Sequence, residues 1–170
     1  APAPSFITAD DDLCGDEKEV QVSIATGSSV EWIKGSGDKS KVTIENDKSA
    51  TAKIKVTDTG TYGFYAIETA ANGCSAKTEK ELKIAFTMPP TVKIVSVSDT
   101  EICGDGISAI TATSNVNVIN WETNGEAGTC SPVKGKTTVY SPSESDQGKS
   151  IKVYAMVSGS GVCAGKSAKD

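Results

Sequence analysis

The sequence contains no histidine. That absence excludes Ser-His-Asp and Cys-His catalysis and any histidine-containing metal site, and with them most hydrolase chemistries. No apolar stretch approaches the roughly 20 residues that cross a bilayer. The opening APAPSF has neither the basic nor the apolar region of an export signal, so the segment is expected to be soluble, with any such signal already removed. Lysine and arginine form no run, and 17 basic against 22 acidic residues give a net charge of -5, which argues against nucleic acid as a partner. There is no Cys-x-x-Cys pair, and aromatic residues make up only 5% of the chain.

Threonine, serine, valine, lysine and isoleucine dominate over leucine and the aromatics. β-Branched residues fit a pleated, half-buried surface, so an all-β protein is expected. A hydrophobic share of 37% in 170 residues suits one globular domain or two small ones.

A repeat decides between these. Cys14 and Cys103, Trp32 and Trp121, and Cys74 and Cys163 are each separated by 89 positions. The same offset lays Leu13-Cys14-Gly15-Asp16 over Ile102-Cys103-Gly104-Asp105, Val30 over Ile119, and Tyr65-Ala66 over Tyr154-Ala155. Three pairs of rare residues, two of cysteine and one of tryptophan, at one offset mark a duplicated unit. Between the copies, Met88-Pro89-Pro90 cannot donate backbone hydrogen bonds at its prolines and holds the chain extended, as a linker does. The expected division is residues 1–87, opening with a linker at 1–4, then the linker 88–90, then 91–170. The second copy has only seven residues after Cys163, against twelve from Cys74 to Phe86, so its last strand is expected to be cut short or supplied elsewhere.

Alternation in the first copy predicts strands over 5–9, 19–25, 30–34, 41–45, 50–57, 61–69 and 77–86. The inward residues are then Val20, Val22, Ile24, Val30, Trp32, Val42, Ile44, Ile54, Val56, Tyr62, Phe64, Leu82, Ile84 and Phe86. In the second copy the pattern predicts strands over 91–98, 107–113, 117–122, 137–141 and 150–157 and a final fragment. About seven short strands in some 85 residues, separated by turn residues and repeated more loosely in the second copy, describe two tandem immunoglobulin-like β-sandwiches. Trp32 on the third strand suits the centre of such a sandwich. Asp58, Gly60 and Tyr62, in DTGTY, match a tyrosine corner, in which the phenol bonds back to the corner's backbone. The second copy has Asp146 and Gly148 but Ser150 in place of the tyrosine, which puts its corner in doubt.

Each copy holds cysteines 60 positions apart, and repeat symmetry pairs Cys14 with Cys74 and Cys103 with Cys163 at one end of each sandwich. Closing such a loop contributes about 4 kcal/mol in the chain-entropy model and implies an oxidising compartment. Cys130 has no repeat partner. It is read as an unpaired thiol on or near a strand, the rival reading being an intermolecular crosslink.

With LCGD, VEWIKGSG and DTGTYGFYAIETAANGCS laid out, the first copy resembles the immunoglobulin-like or PKD-like repeats of large secreted surface proteins of Bacteroidetes-type bacteria. The resemblance covers nearly all of residues 5–86. The second copy matches at Cys103-Gly104, Trp121 and Cys163. The resemblance implies an extracellular location, neighbouring repeats of one parent chain, and a role as stalk, adhesin or filament component.

Other constellations are weaker. Gly-Lys-Ser/Thr triplets begin at Gly135, Gly148 and Gly165, but the glycine a phosphate loop needs five residues earlier is Cys130, Ser143 and Ser160. Asp10, Asp11, Asp12 and Asp16, echoed by Asp99, Glu101 and Asp105, are candidate calcium ligands or a solvated acidic loop. Tyr62, Tyr65, Tyr140 and Tyr154 are candidates for a sugar-stacking platform or for core positions. No carboxylate pair for glycosidic cleavage is identifiable. The expectation is a non-enzymatic spacer or assembly module without cofactor. The alternatives are an adhesive module for a glycan, a host protein or a neighbouring subunit, by strand addition among other modes, and the accessory part of a surface enzyme.

Overall fold

Strand β1 (Ser5–Phe6) pairs with β3 (Glu17–Ser23), which pairs with β6 (Thr51–Val56), which pairs with β5 (Val42–Glu45), giving one antiparallel sheet. The facing sheet runs β2 (Asp11–Cys14), β9 (Leu82–Thr87), β7 (Gly60–Thr69) and β4 (Ser29–Lys34), with β8 (Ser75–Lys77) added along the end of β7. This computed structural model describes residues 3–125 and 127–170, so the first two residues of the expected linker at 1–4 lie outside the described residues. The chain divides into two compact units, Ala1–Met88 and Pro89–Asp170.

Period-two alternation places the apolar face of each strand between the sheets. Val20, Val22, Val30, Trp32, Val42, Ile54, Val56, Tyr62, Phe64, Leu82, Ile84 and Phe86 form the buried core of unit 1, while Ile24 and Ile44 are only partly buried at its edge. Trp32 donates its indole N–H to the Ser49 carbonyl at 2.8 Å and stacks on Phe6 with ring centroids 5.7 Å apart. The tyrosine corner is formed: the Tyr62 hydroxyl donates to the Asp58 carbonyl at 3.1 Å, and burial raises the pKa of the phenol.

Unit 2 repeats the scheme with fewer strands. One sheet has the order β10 (Val92–Val97), β11 (Ser108–Ser114), β14 (Thr137–Ser141) and β13 (Thr129–Ser131). The other has the order β12 (Asn120–Thr123), β15 (Val153–Ser158) and β16 (Ser167–Lys169). The 89-residue offset is preserved in pairing as well as in sequence: Trp32 faces Ala66 across β4 and β7, and Trp121 faces Ala155 across β12 and β15. The Trp121 indole donates to the Gly135 carbonyl at 2.8 Å. Outside each sheet, a lysine ammonium covers a tyrosine ring, Lys77 over Tyr65 at 4.1 Å and Lys169 over Tyr154 at 3.8 Å.

The cysteines depart from the expected pairing. Cys14 lies level with Thr87 beside the Gly60 end of β7, whereas Cys74 precedes Ser75, which pairs with Thr69 at the other end of that strand. Nine residues of extended chain separate the two levels by about 30 Å, and a disulfide needs Cα atoms about 4.4–6.8 Å apart. The expected Cys14–Cys74 bond is therefore not formed, because the two residues sit at opposite poles of unit 1. In unit 2, Cys103 lies with Val153 at the start of β15, while Cys163 lies in the turn beyond its end. The expected Cys103–Cys163 bond fails for the same reason. Cys14 and Cys163 are disulfide-bonded, and Cys74, Cys103 and Cys130 are free.

Cys130 lies on β13 within the second core and is 7% exposed, which removes it as a ready crosslink point. Burial also raises its pKa, so little of it is the reactive thiolate. An aromatic disulfide reagent is therefore expected to titrate the exposed Cys74 and Cys103 at once in the native chain, and Cys130 only on unfolding. Rapid reaction of all three free thiols in the native chain would contradict the placement of Cys130.

Candidate functional site

Unit 2 carries a groove of about 610 Å³, lined among others by Ile94, Val97, Ile102, Ile110, Tyr140, Ile151 and Val153. Its position is explained by what the same place holds in unit 1. There, β9 lies between β2 and β7, parallel to the first and antiparallel to the second. Asp11, Leu13 and Cys14 register against Ile84, Phe86 and Thr87 on one edge, and Gly60, Tyr62 and Phe64 register against Phe86, Ile84 and Leu82 on the other.

Moving each wall by 89 positions gives Thr100, Ile102 and Cys103 on one side and Lys149, Ile151 and Val153 on the other. All six line the groove of unit 2. The described residues of unit 2 hold no counterpart of β9. β16 corresponds to β8, since both pair with the end of the preceding long strand, Ser167 with Ser158 and Ser75 with Thr69. Asp170 pairs with Ala155 in both directions at 3.0 and 3.1 Å, as the Thr78 amide donates to Ala66 in unit 1 at 2.9 Å. In unit 1 the chain then runs on into β9.

The exposures follow from this difference. Tyr62 and Phe64 are 3% and 0% exposed under β9, while Ile151 and Val153 are only half-buried. Val97 and Ile107 near the same end are exposed. The residues of the β2 counterpart, 100–103, form no strand, because β2 exists in unit 1 only by pairing with β9.

The floor of the groove is held by a polar lock. Asp146, 4% exposed, accepts through Oδ2 from the Gly128 amide at 2.9 Å, the Tyr140 hydroxyl at 2.9 Å, and the Ser143 amide and hydroxyl at 3.2 and 3.1 Å. Burial, then the bond to the Asp146 carboxylate, pushes the Tyr140 phenol up to about 12. A side chain at position 128 would occupy the place of the Tyr140 hydroxyl and the carboxylate, so glycine is required there. Among the described residues unit 2 has no tyrosine corner, because the 89-residue offset puts Ile151, which has no hydroxyl, in the place of Tyr62. Sequence reasoning placed Asp146 in the corner but not its partner, which comes from β14.

Another buried carboxylate sits in unit 1. Glu68 is 1% exposed and accepts from the Ala25 amide at 2.9 Å. Hydrogen bonds from the Ser28 side chain and the Ala25 amide hold it below the usual carboxylate range. A depressed folded-state pKa means that the carboxylate stabilises the fold above its unfolded pKa, and that this contribution is lost as pH falls through the folded value. Glu68→Gln is expected to flatten the acid side of the stability profile of unit 1. Unchanged steepness in chemical denaturation between neutral pH and the carboxylate range would contradict this.

The remaining sequence candidates are dispersed. Asp10 accepts from the Lys83 amide at 2.8 Å, Asp11 pairs with Lys18 at 2.6 Å, and Asp99 accepts from the Ser98 hydroxyl at 2.8 Å. Among the described residues, no group of three or more acidic or cysteine side chains is placed to hold a metal ion. Of the four tyrosines, Tyr62 and Tyr140 are buried core residues, and Tyr65 and Tyr154 lie in separate units under their lysines. They form no common platform. The Gly-Lys-Ser/Thr triplets lie in turns between or beside strands. Among the described residues, no helix is long and apolar enough to cross a membrane.

No protein-family profile matches the chain, and none of the curated proteins does. Among solved structures the chain is similar to the PKD domain of the KIAA 1837 protein, with TM-score 0.43 and 18% identity, over 52% of this chain and 89% of that one. It is similar to the fibronectin(III)-like modules of Clostridium thermocellum CbhA, with TM-score 0.39 and 16% identity, over 98% and 90%. It is also similar to the eight N-terminal immunoglobulin domains of Down Syndrome Cell Adhesion Molecule, with TM-score 0.46 and 14% identity, over 91% and 25%.

Proposed function

We propose that this chain is a non-enzymatic structural module of an extracellular protein, built to be repeated. The observation that carries the structural reading is the duplication of core features, with Trp32 and Trp121, and Tyr65 and Tyr154, each 89 positions apart. Each unit has an indole tied to a loop carbonyl and a lysine clamped over a tyrosine, around a sandwich core. Oxidised Cys14 and Cys163 fit an oxidising, extracellular setting.

Single-molecule pulling of the reduced chain tests the structural reading. Two force peaks are expected, each releasing about 80 residues, or roughly 280 Å of contour. Extension without peaks would remove the structural role. A glycan that raised the melting temperature in a concentration-dependent manner would favour the adhesive reading instead.

A further inference from the structure

We propose that the outer face of the sheet β10-β11-β14-β13 is a self-association surface, which a second copy of this chain covers with the same face about a two-fold axis. The association adds to the structural role of the chain and does not depend on it.

The matching sheet of unit 1 shows what is unusual about this face. The Val22 amide donates to the Ala50 carbonyl at 2.9 Å, and the Ala112 amide to the Lys136 carbonyl at 2.8 Å. Each acceptor follows the residue that receives the indole of Trp32 or Trp121, so β3 matches β11 and β6 matches β14 residue by residue. On the solvent side of unit 1 one row reads Glu19, Lys53 and Glu45 across β3, β6 and β5. The same row of unit 2 reads Ala109, Val139 and Ser131 across β11, β14 and β13. In the next row Ile107 and Ser141 stand where unit 1 has Glu17 and Lys55. The charges of unit 1 are paired, Lys53 with Glu17 at 3.4 Å and Lys55 with Glu45 at 2.7 Å. All five of those positions are uncharged in unit 2. Ile107 is 55% exposed and Val95, in the bulge of β10, is 53% exposed. The Thr111 and Thr137 hydroxyls lie between them, bonded to each other at 3.1 Å. Among the described strand residues of the face only Lys93, on the edge strand β10, is charged.

This chemistry selects a second copy as the occupant. A charged partner would leave its own charges against methyl and hydroxyl groups, which cannot compensate them. Threonine and serine hydroxyls both donate and accept, so two copies of the face satisfy each other without stranding a charge. A two-fold contact requires that kind of self-complementarity. About a dozen residues face outward here, roughly half of the 20–30 a side in a standard interface, which makes the contact weak and transient.

Sedimentation equilibrium of the full chain up to about 2 mM, with the exposed Cys74 and Cys103 blocked by iodoacetamide, tests the proposal. The dimer is expected to be half-populated between about 0.1 and 1 mM. Added salt is expected to strengthen it, because each copy carries a net charge of -5 and the contact contains no ion pair. Ala109→Glu and Val139→Lys each give unit 2 the charge that unit 1 carries at the matching position, Glu19 or Lys53. Each places like charges across the two-fold contact and is expected to weaken the dimer about tenfold or more. Ala109 is exposed, so its variant keeps the test open whatever Lys does at the half-buried position 139. Thr43→Lys adds a charge to the matching face of unit 1 and is expected to leave the dimer unchanged. A chain that stays monomeric to about 2 mM, a dimer that salt weakens, or a dimer that Ala109→Glu leaves intact would overturn the proposal. Equal weakening by Thr43→Lys would overturn it too, by showing that the face of unit 2 is not the contact.

Discussion

Trp32→Ala is expected to destabilise unit 1 by about 3–5 kcal/mol, through lost transfer energy and the cavity left between the sheets. Trp32 is 3% exposed, packs on Phe6 and satisfies the Ser49 carbonyl, so truncation removes burial, an aromatic contact and a hydrogen bond at once. A domain of this size has only about 5–15 kcal/mol of stability in total, and each kcal/mol shifts the midpoint by about 4–8 °C. Calorimetry of the variant is expected to show a transition lowered by about 12 °C or more. Trp32→Phe, which keeps most of the apolar area, loses less. A change under about 1 kcal/mol would mean that the indole does not organise the core.

Asp146→Ala is expected to cost unit 2 roughly 3 kcal/mol or more, since hydrogen bonds to a charged group contribute about 1.5–3 kcal/mol and their loss strands buried donors. The carboxylate gathers the Gly128 amide, the Tyr140 hydroxyl and both donors of Ser143. Asp146→Asn keeps the volume but removes the charge that helps hold Tyr140 protonated. Ultraviolet titration is then expected to show the Tyr140 phenol ionising below the value of about 12 that it has beside the carboxylate. An unmoved titration with intact stability would show that the lock does not form. Gly128→Ala tests the same lock from the other side, because its methyl group needs the space of the tyrosine hydroxyl.

The residues that sequence reasoning read well are those whose signal is local and repeated. The alternation in Lys53 to Val56 and in Leu82 to Phe86 specifies which face is buried whatever the strand pairs with. The tryptophans mark the sandwich centre because an indole that large has few other places to be. β2 was not legible: DDLC has no strand propensity of its own, and it is held only by parallel pairing with β9, some 70 residues away. β8 and β13, three residues each, are likewise set by their neighbours.

The cysteine error has a different origin. Equal spacing of 60 in both copies is a restatement of the repeat and carries no information about which cysteine meets which. Pairing depends on the pole at which each residue emerges, and that follows from strand direction, with Cys14 beside the end of β9 and Cys74 past the end of β7. The groove of unit 2 was not legible, because only the register of β2, β9 and β7 identifies its two walls.

Hydrogen exchange of the full chain, read peptide by peptide, tests the central claim that the chain is one sandwich repeated at an offset of 89 residues. The amides of β7 opposite β4 and of β15 opposite β12 are expected to exchange only on unfolding of their own unit, on the order of a hundred-fold slower or more than those of the connecting turns. Exchange of β15 as fast as that of the turns would contradict the account.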